Sequence, residues 1–406
     1  MGNAANGPGT AKVMTTSMMV TGSMVGAGIL ALPIDLGPAG LVPAICSTVL
    51  LWLLMTGTAI IYSRQRTLVE DEHADLPTFF GRELGTGSKW ISVWANLVIL
   101  YGLLTAYLAG VASVLVNLFD LPVPEWGALL GYFLIAVLLT SFGTAVMRRG
   151  NAILILALWV SFVILVAMTI PHMDQGRMTM KDWAFLPSGL PVLVAAFHFH
   201  NLIPTICRSL NQDKKAISQA IWGGSFMGLV MNIVWIVVVV SALPVSSPDG
   251  VDIVNAFTQS QPATVPLAKI VGSMGFLQVA LAFSVVAMTT SFMANGLALQ
   301  SFMRDLCSET LGTTRRELVW ILAFVPPLLI AMFYPDIFLK ALNMVGGVGI
   351  NLLFGILPGV LLIKYAQDNM LRRTTGWIMV ALFMGILIIE LGKEAGLLHI
   401  APNVLL

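Results

Sequence analysis

The chain has 406 residues, 57% of them hydrophobic and 10% charged, with a formal net charge of +1 and a mean hydropathy of +0.89. Water-soluble domains carry about 25% charged residues, so a soluble enzyme, a disordered chain and a disulfide scaffold are excluded. The near-neutral charge gives no footprint for nucleic acid. Cys46, Cys207 and Cys307 lack metal-ligand spacing and read as free packing thiols.

A helix crossing a bilayer needs ~20 mostly apolar residues. Eleven stretches qualify in chain order: 13–35, 41–63, 89–119, 127–147, 151–171, 190–209, 216–243, 266–303, 317–334, 337–365 and 376–397. They are continuously apolar rather than alternating, so helices are expected, not barrel strands. Residues 1–12 are expected to form a polar tail with no cleavable leader, and Asn6 stands where a myristoylation motif requires Ser or Thr. With the N-terminus inside, only five of the 21 Lys and Arg residues (Arg177, Lys181, Lys269, Lys340 and Lys393) fall outside. This bias orients the N-terminus to the cytoplasm and the C-terminus to the periplasm or exterior. The pairs Arg148–Arg149 and Arg372–Arg373 then anchor inner turns. The longer connections are 64–88 inside, and 172–189 and 244–265 outside; within the first, 75–85 (DLPTFFGRELG) reads equally as an amphipathic surface helix or a plain connector.

Two stretches are interrupted. The first holds Gly22, Ser23, Met24, Val25, Gly26, Ala27 and Gly28, then Pro33, and each glycine weakens a helix by about 1 kcal/mol relative to alanine. The sixth holds Phe197, His198, Phe199, His200 and Asn201, then Pro204; proline removes a backbone donor, and polar residues at membrane depth are costly unless functional. The breaks lie five helices apart. An odd number of crossings makes any second copy of the unit run inverted, and matched interruptions in two halves point to a transporter binding site. A half-helix starting near Gly26 presents free N–H groups, and one ending near Ser23 presents free carbonyls. Together they suit the carboxylate and ammonium of a zwitterion. Close packing of small residues is the competing reading of 22–28.

At these residues the chain resembles the bacterial aromatic and hydroxy amino acid permease family, within the amino acid–polyamine–organocation superfamily. The resemblance rests on GSMVGAGILALP at 22–33, FHFHNLIPTI at 197–206, MTTSF at 288–292 and VPPLLIAMFYPDIFLKALNMVGG at 325–347, and extends over essentially the whole chain. It departs at His198 and Asn201, where tyrosine- and tryptophan-type members tend to carry a small residue and a glycine. The resemblance implies an all-α leucine-transporter fold with an inverted five-plus-five repeat: 13–171, then 190–365, with 376–397 as an extra helix. It also implies ion-driven import of an amino acid across the bacterial inner membrane, usually coupled to protons, with no cofactor.

Site expectations follow. The residues 22–28 hold the substrate backbone; Phe197, His198, Phe199, Asn201 and Tyr101 wall an aromatic side chain. Tyr101 shares the third stretch with Asn96, Thr105 and Tyr107, which the superfamily places against substrate, although an interhelical role is the plainer reading. His200, which matches the family's histidine, is expected both to bind substrate and to carry the proton, since an unperturbed imidazole titrates near neutral pH; a neutral ring that only bonds substrate or the carbonyls of the first stretch is the competing reading. The sodium alternative uses Thr289 and Thr290, with Ser284 and Ser291 nearby, in a symporter of other neutral or hydroxy amino acids. Asn343, Gly346, Gly347, Gly349 and Asn351 suit either an outer gate or close packing, Glu390 a structural or contact role, and Asp35 a helix end. His73, His172 and His399 carry no expected role. An intramembrane enzyme is disfavoured because neither HExxH nor GxSxG occurs, and a channel because paired breaks suit alternating access.

Overall fold

The computed structural model describes residues 8–65, 76–119, 123–141, 143–367 and 369–402, without the side chains of 119, 143–153 and 155. Asn6, Arg66, His73 and Asp75, and the side chains of Arg148 and Arg149, lie outside the described residues. No strand occurs among the described residues. In chain order the helices are α1 (Thr10–Met24), α2 (Ala27–Leu36), α3 (Leu41–Ser63), α4 (Leu76–Leu84), α5 (Thr86–Phe119), α6 (Glu125–Ser141), α7 (Gly143–Thr169), α8 (Leu186–Ala196), α9 (Ile203–Ser209), α10 (Lys214–Ala242), α11 (Ile253–Thr258), α12 (Thr264–Val271), α13 (Met274–Leu311), α14 (Arg316–Phe333), α15 (Phe338–Met344), α16 (Leu357–Lys364) and α17 (Met370–Glu394). A π-helix, Val345–Ile356, joins α15 to α16.

Among the described residues, 8 helices are long and apolar enough to cross a membrane, or 9 if the bent pair α1–α2 counts as one span; Glu125–Ser141 and Leu156–His172 are shorter apolar helices. Large apolar side chains such as Trp94, Leu134, Val163, Phe333 and Ile388 are exposed around the bundle. Water would not tolerate so broad an apolar surface, and lipid accepts it. The protein is therefore a multi-pass membrane protein.

Three boundaries differ from expectation. In the stretch 127–147, α6 reaches Ser141 and α7 begins at Gly143 on the described residues, and the Arg148–Arg149 backbone is helical rather than in a turn. The stretch 266–303 is cut at Gly272, whose φ of +64° ends α12, and Ser273 caps α13 by accepting from Phe276 N–H at 3.1 Å. The 38-residue α13 is longer than a bilayer requires and runs on to Leu311. Connector 64–88 contains the short helix α4, which buries Phe79 and Phe80 and sets Phe80 edge-on against Tyr62 of α3 with ring centroids 6.1 Å apart.

Small residues let the interior helices approach closely. Gly224 of α10 meets α1 so tightly that a Cβ there would lie 2.4 Å from Ser17 O, and Thr21 Oγ1 donates to Gly224 O at 2.9 Å. Trp235, Phe162 and Phe283 pack together from α10, α7 and α13, with centroids 5.9–6.2 Å apart. These contacts hold the interrupted helices at the centre of the bundle.

Candidate functional site

Both interruptions exist and they touch. Val25 (φ −91°, ψ 80°) and Gly26 (φ −132°, ψ −144°) leave the helical region, and the two halves meet at 53°. Nothing but backbone caps the restart: Gly26 has no side chain and α2's first N–H groups have no side-chain acceptor at the cap. In the second interruption, Phe197, His198 and Phe199 are non-helical, the turn His200–Leu202 tightens to 3-10 geometry, and Pro204 stands in the first turn of α9. Gly28 lies against the end of α8; a Cβ there would fall 2.9 Å from Ala196 Cα.

A cavity of about 350 Å³ opens where the breaks meet, within the size range of small-molecule sites. All seven residues from Gly22 to Gly28 line it, with His198, Asn201 and Thr290. Tyr107 of α5 and Ser291 of α13, both named from sequence beside the residues expected to act, also line it, and Leu103 from α5, Trp159 from α7 and Asn295 from α13, which were not expected, complete it. Asn295 Nδ2 donates to Tyr107 Oη at 3.3 Å and to Ser291 O at 2.9 Å. The cavity thus offers backbone N–H and carbonyl groups at one end and a hydroxyl–carboxamide group with an indole wall elsewhere. His198 is buried with Nε2 unpartnered, so one polar atom remains available beside the cavity.

Five expected site residues lie elsewhere. Tyr101 Oη donates to Leu322 O of α14 at 2.7 Å; it is six residues from Tyr107, about 240° around the helix, and faces away from the cavity. Phe197 and Phe199 are buried in the core and line no part of the cavity. Thr289 shares a hydrogen bond of 3.2 Å with Tyr132 of α6, while Thr290, one residue on, lines the cavity with its hydroxyl turned to Val286 O at 2.9 Å. Consecutive helical residues diverge by 100°, so the two threonines do not converge.

His200 lies behind the cavity. Its Nε2 is 2.8 Å from Thr58 Oγ1, and Phe354 and Tyr62 enclose the ring at 4.8 and 6.2 Å. Thr58 spends its one proton on Met55 O at 2.8 Å, so the contact requires an Nε2–H donor on His200. Its buried Nδ1 has no partner, and its ring is stacked parallel to His198 at 5.9 Å. The histidines therefore form a pair running from the cavity wall to α3.

The fold and site define a helical membrane protein with an interior cavity built on two broken helices. The sequence profile of the tryptophan/tyrosine permease family matches residues 9–392, and the chain belongs to that family. It is 29% identical to tyrosine-specific transport system 1 of Haemophilus influenzae, over 82% of this chain and 84% of that protein. It is 23% identical to a tryptophan-specific transport protein of Pseudomonas aeruginosa, over 81% of each. In structure it is similar to a manganese transporter of Eremococcus coleocola, with a TM-score of 0.62 at 15% identity, covering 95% of this chain and 86% of that one. At that identity the likeness concerns the fold alone.

Proposed function

We propose that the protein is a secondary active transporter that imports an aromatic amino acid across the bacterial inner membrane by alternating access, coupled to protons. The carrying observation is the cavity where both helix breaks meet. The start of α2 offers N–H groups to an α-carboxylate, and the end of α1 offers carbonyls to an α-ammonium. Trp159, Tyr107 and Leu103 supply a mixed aromatic wall for the side chain. The tyrosine- and tryptophan-specific relatives favour the same substrate class.

In this reading the eleven stretches are eleven spans, with the first ten forming an inverted pair of five-helix units and α17 standing outside. The N-terminus is cytoplasmic. The cavity lining runs down α1 to Met19 and along α13 to Ala298, on the side of the breaks where α1 begins. The state is then inward-facing, and the outer side is the sealed one.

Proteoliposome uptake screened over the twenty amino acids tests this, with proton and sodium gradients imposed separately. Accumulation of tyrosine, tryptophan or phenylalanine on an inward proton gradient is expected. A best substrate that aromatic amino acids cannot displace overturns the substrate class. Dependence on sodium alone replaces the proton with the hydroxyl-lined alternative around Thr290.

A further inference from the structure

Away from the cavity, the sealed end of the bundle holds a second buried polar group. Asp35, near the end of α2, is completely buried. Its Oδ1 accepts from Asn343 Nδ2 of α15 at 3.3 Å. Its Oδ2 has no partner, and neither has Asn343 Oδ1. Both orphan atoms are acceptors, and a buried acceptor without a donor costs the full desolvation of that atom.

The neighbouring charges do not remove the mismatch. Lys393 and Glu390 of α17 are near enough to act on Asp35. Lys393 is already committed: its Nζ binds Glu390 Oε2 at 3.0 Å and Ser188 O of α8 at 3.2 Å. Lys340 of α15 binds Glu394 of α17 at 2.8 Å. Each lysine is matched to one glutamate, so an ionised Asp35 would be a surplus buried charge.

We propose that Asp35 is a proton-binding site. One proton on Oδ2 supplies the donor that both orphan atoms lack. Oδ2–H then donates to Asn343 Oδ1 while Asn343 Nδ2 donates to Asp35 Oδ1, closing a two-bond acid–amide pair. That pair ties the outer half of the broken first span to α15. Loss of the proton converts it to a single bond beside an unpaired carboxylate, which loosens the outer seal. This deepens the proton-coupled reading above and rests on it for its consequence in transport: a proton taken up at Asp35 from the outer side closes that side, and its release to the same side reopens it, apart from any proton carried behind the cavity.

Infrared spectra of the full-length protein in detergent test the site without substrate or gradient. At neutral pH the parent is expected to show the C=O band of a buried protonated carboxyl group, shifted in D₂O. The band should be lost in Asp35→Asn and retained in Glu390→Gln. Absence of the band in the parent, or its loss only in Glu390→Gln, overturns the assignment. If Asp35→Asn does not fold, Asn343→Ala decides: a band shifted by loss of the amide partner supports the site, and an unmoved band refutes it. Sodium-driven uptake by the parent would remove the proton-coupling reading and leave this spectroscopic result standing.

Discussion

Gly26 and Gly28 are two residues apart and meet different obstacles. A Cβ on Gly26 would approach Ser291 Oγ at 2.9 Å, the movable end of a side chain; on Gly28 it would meet Ala196 main chain at the same distance. Gly26→Ala should therefore fold normally, whereas Gly28→Ala must push α2 off α8, an overpacking cost of about 1–3 kcal/mol. Thermal unfolding of the two purified variants checks this, and equal midpoints would refute it. Tyr107 allows a matching contrast on α5. If its hydroxyl, joined to Asn295, faces the substrate, Tyr107→Phe should weaken binding about 2- to 10-fold, the worth of one hydrogen bond. Tyr101→Phe should leave affinity unchanged and lower stability, because its partner is Leu322 O on α14. Binding titrations of both variants decide the point. A tyrosine in an apolar stretch gives no sign of which face is inward when nearly every neighbour is apolar. The sequence reading therefore places Tyr101 in the wall, whereas Tyr107 lines the cavity. The seven residues from Gly22 to Gly28 could be located because glycine acts on the backbone wherever the helix turns.

The same distinction governs whole elements. Breaks at Gly26 and at 197–199 were legible, since glycine, proline and polar residues inside an apolar run are local signals that need no knowledge of neighbours. The cut at Gly272 is equally local but gives a weak signal within 266–303, because a single glycine is usually tolerated in a helix. The π-helix Val345–Ile356 had no such signature. Its wider winding comes with tight contacts: a Cβ on Gly346 would fall 1.8 Å from Pro191 O of α8, and one on Gly349 would fall 2.6 Å from Ile99 Cγ1 of α5. The glycines 346, 347 and 349 read as gate or packing from sequence, and these distances assign close packing against α8, α17 and α5. Gly346→Ala should separate the π-helix from α8 and lower the unfolding midpoint by several degrees. Gly385→Ala in α17, with nothing within 4 Å of its Cβ, should hold or slightly raise it through helix propensity. A Gly346→Ala variant as stable as Gly385→Ala would show that the π-helix can slide along α8 freely.

At the scale of the molecule, the proposed proton coupling needs a group near the cavity that can take up charge. His200 is so placed. It is buried behind the cavity wall, stacked on His198, with Nε2–H committed to Thr58 and Nδ1 unpartnered. A proton arriving at Nδ1 would change the ring's charge without breaking the Thr58 bond, and would be felt by His198 at the cavity. Glutamine in its place can still donate to Thr58 from its amide and cannot take up a proton. If His200 carries the coupling proton, His200→Gln should keep substrate counterflow, which needs only alternation of the loaded carrier, and lose accumulation on an imposed proton gradient. If the histidine serves only to hold α3 against the second break, both activities should survive together or fall together. Side-by-side counterflow and gradient-driven uptake in the same proteoliposomes make the distinction, and concentrative uptake by a folded His200→Gln variant on a proton gradient alone would remove His200 from the coupling path.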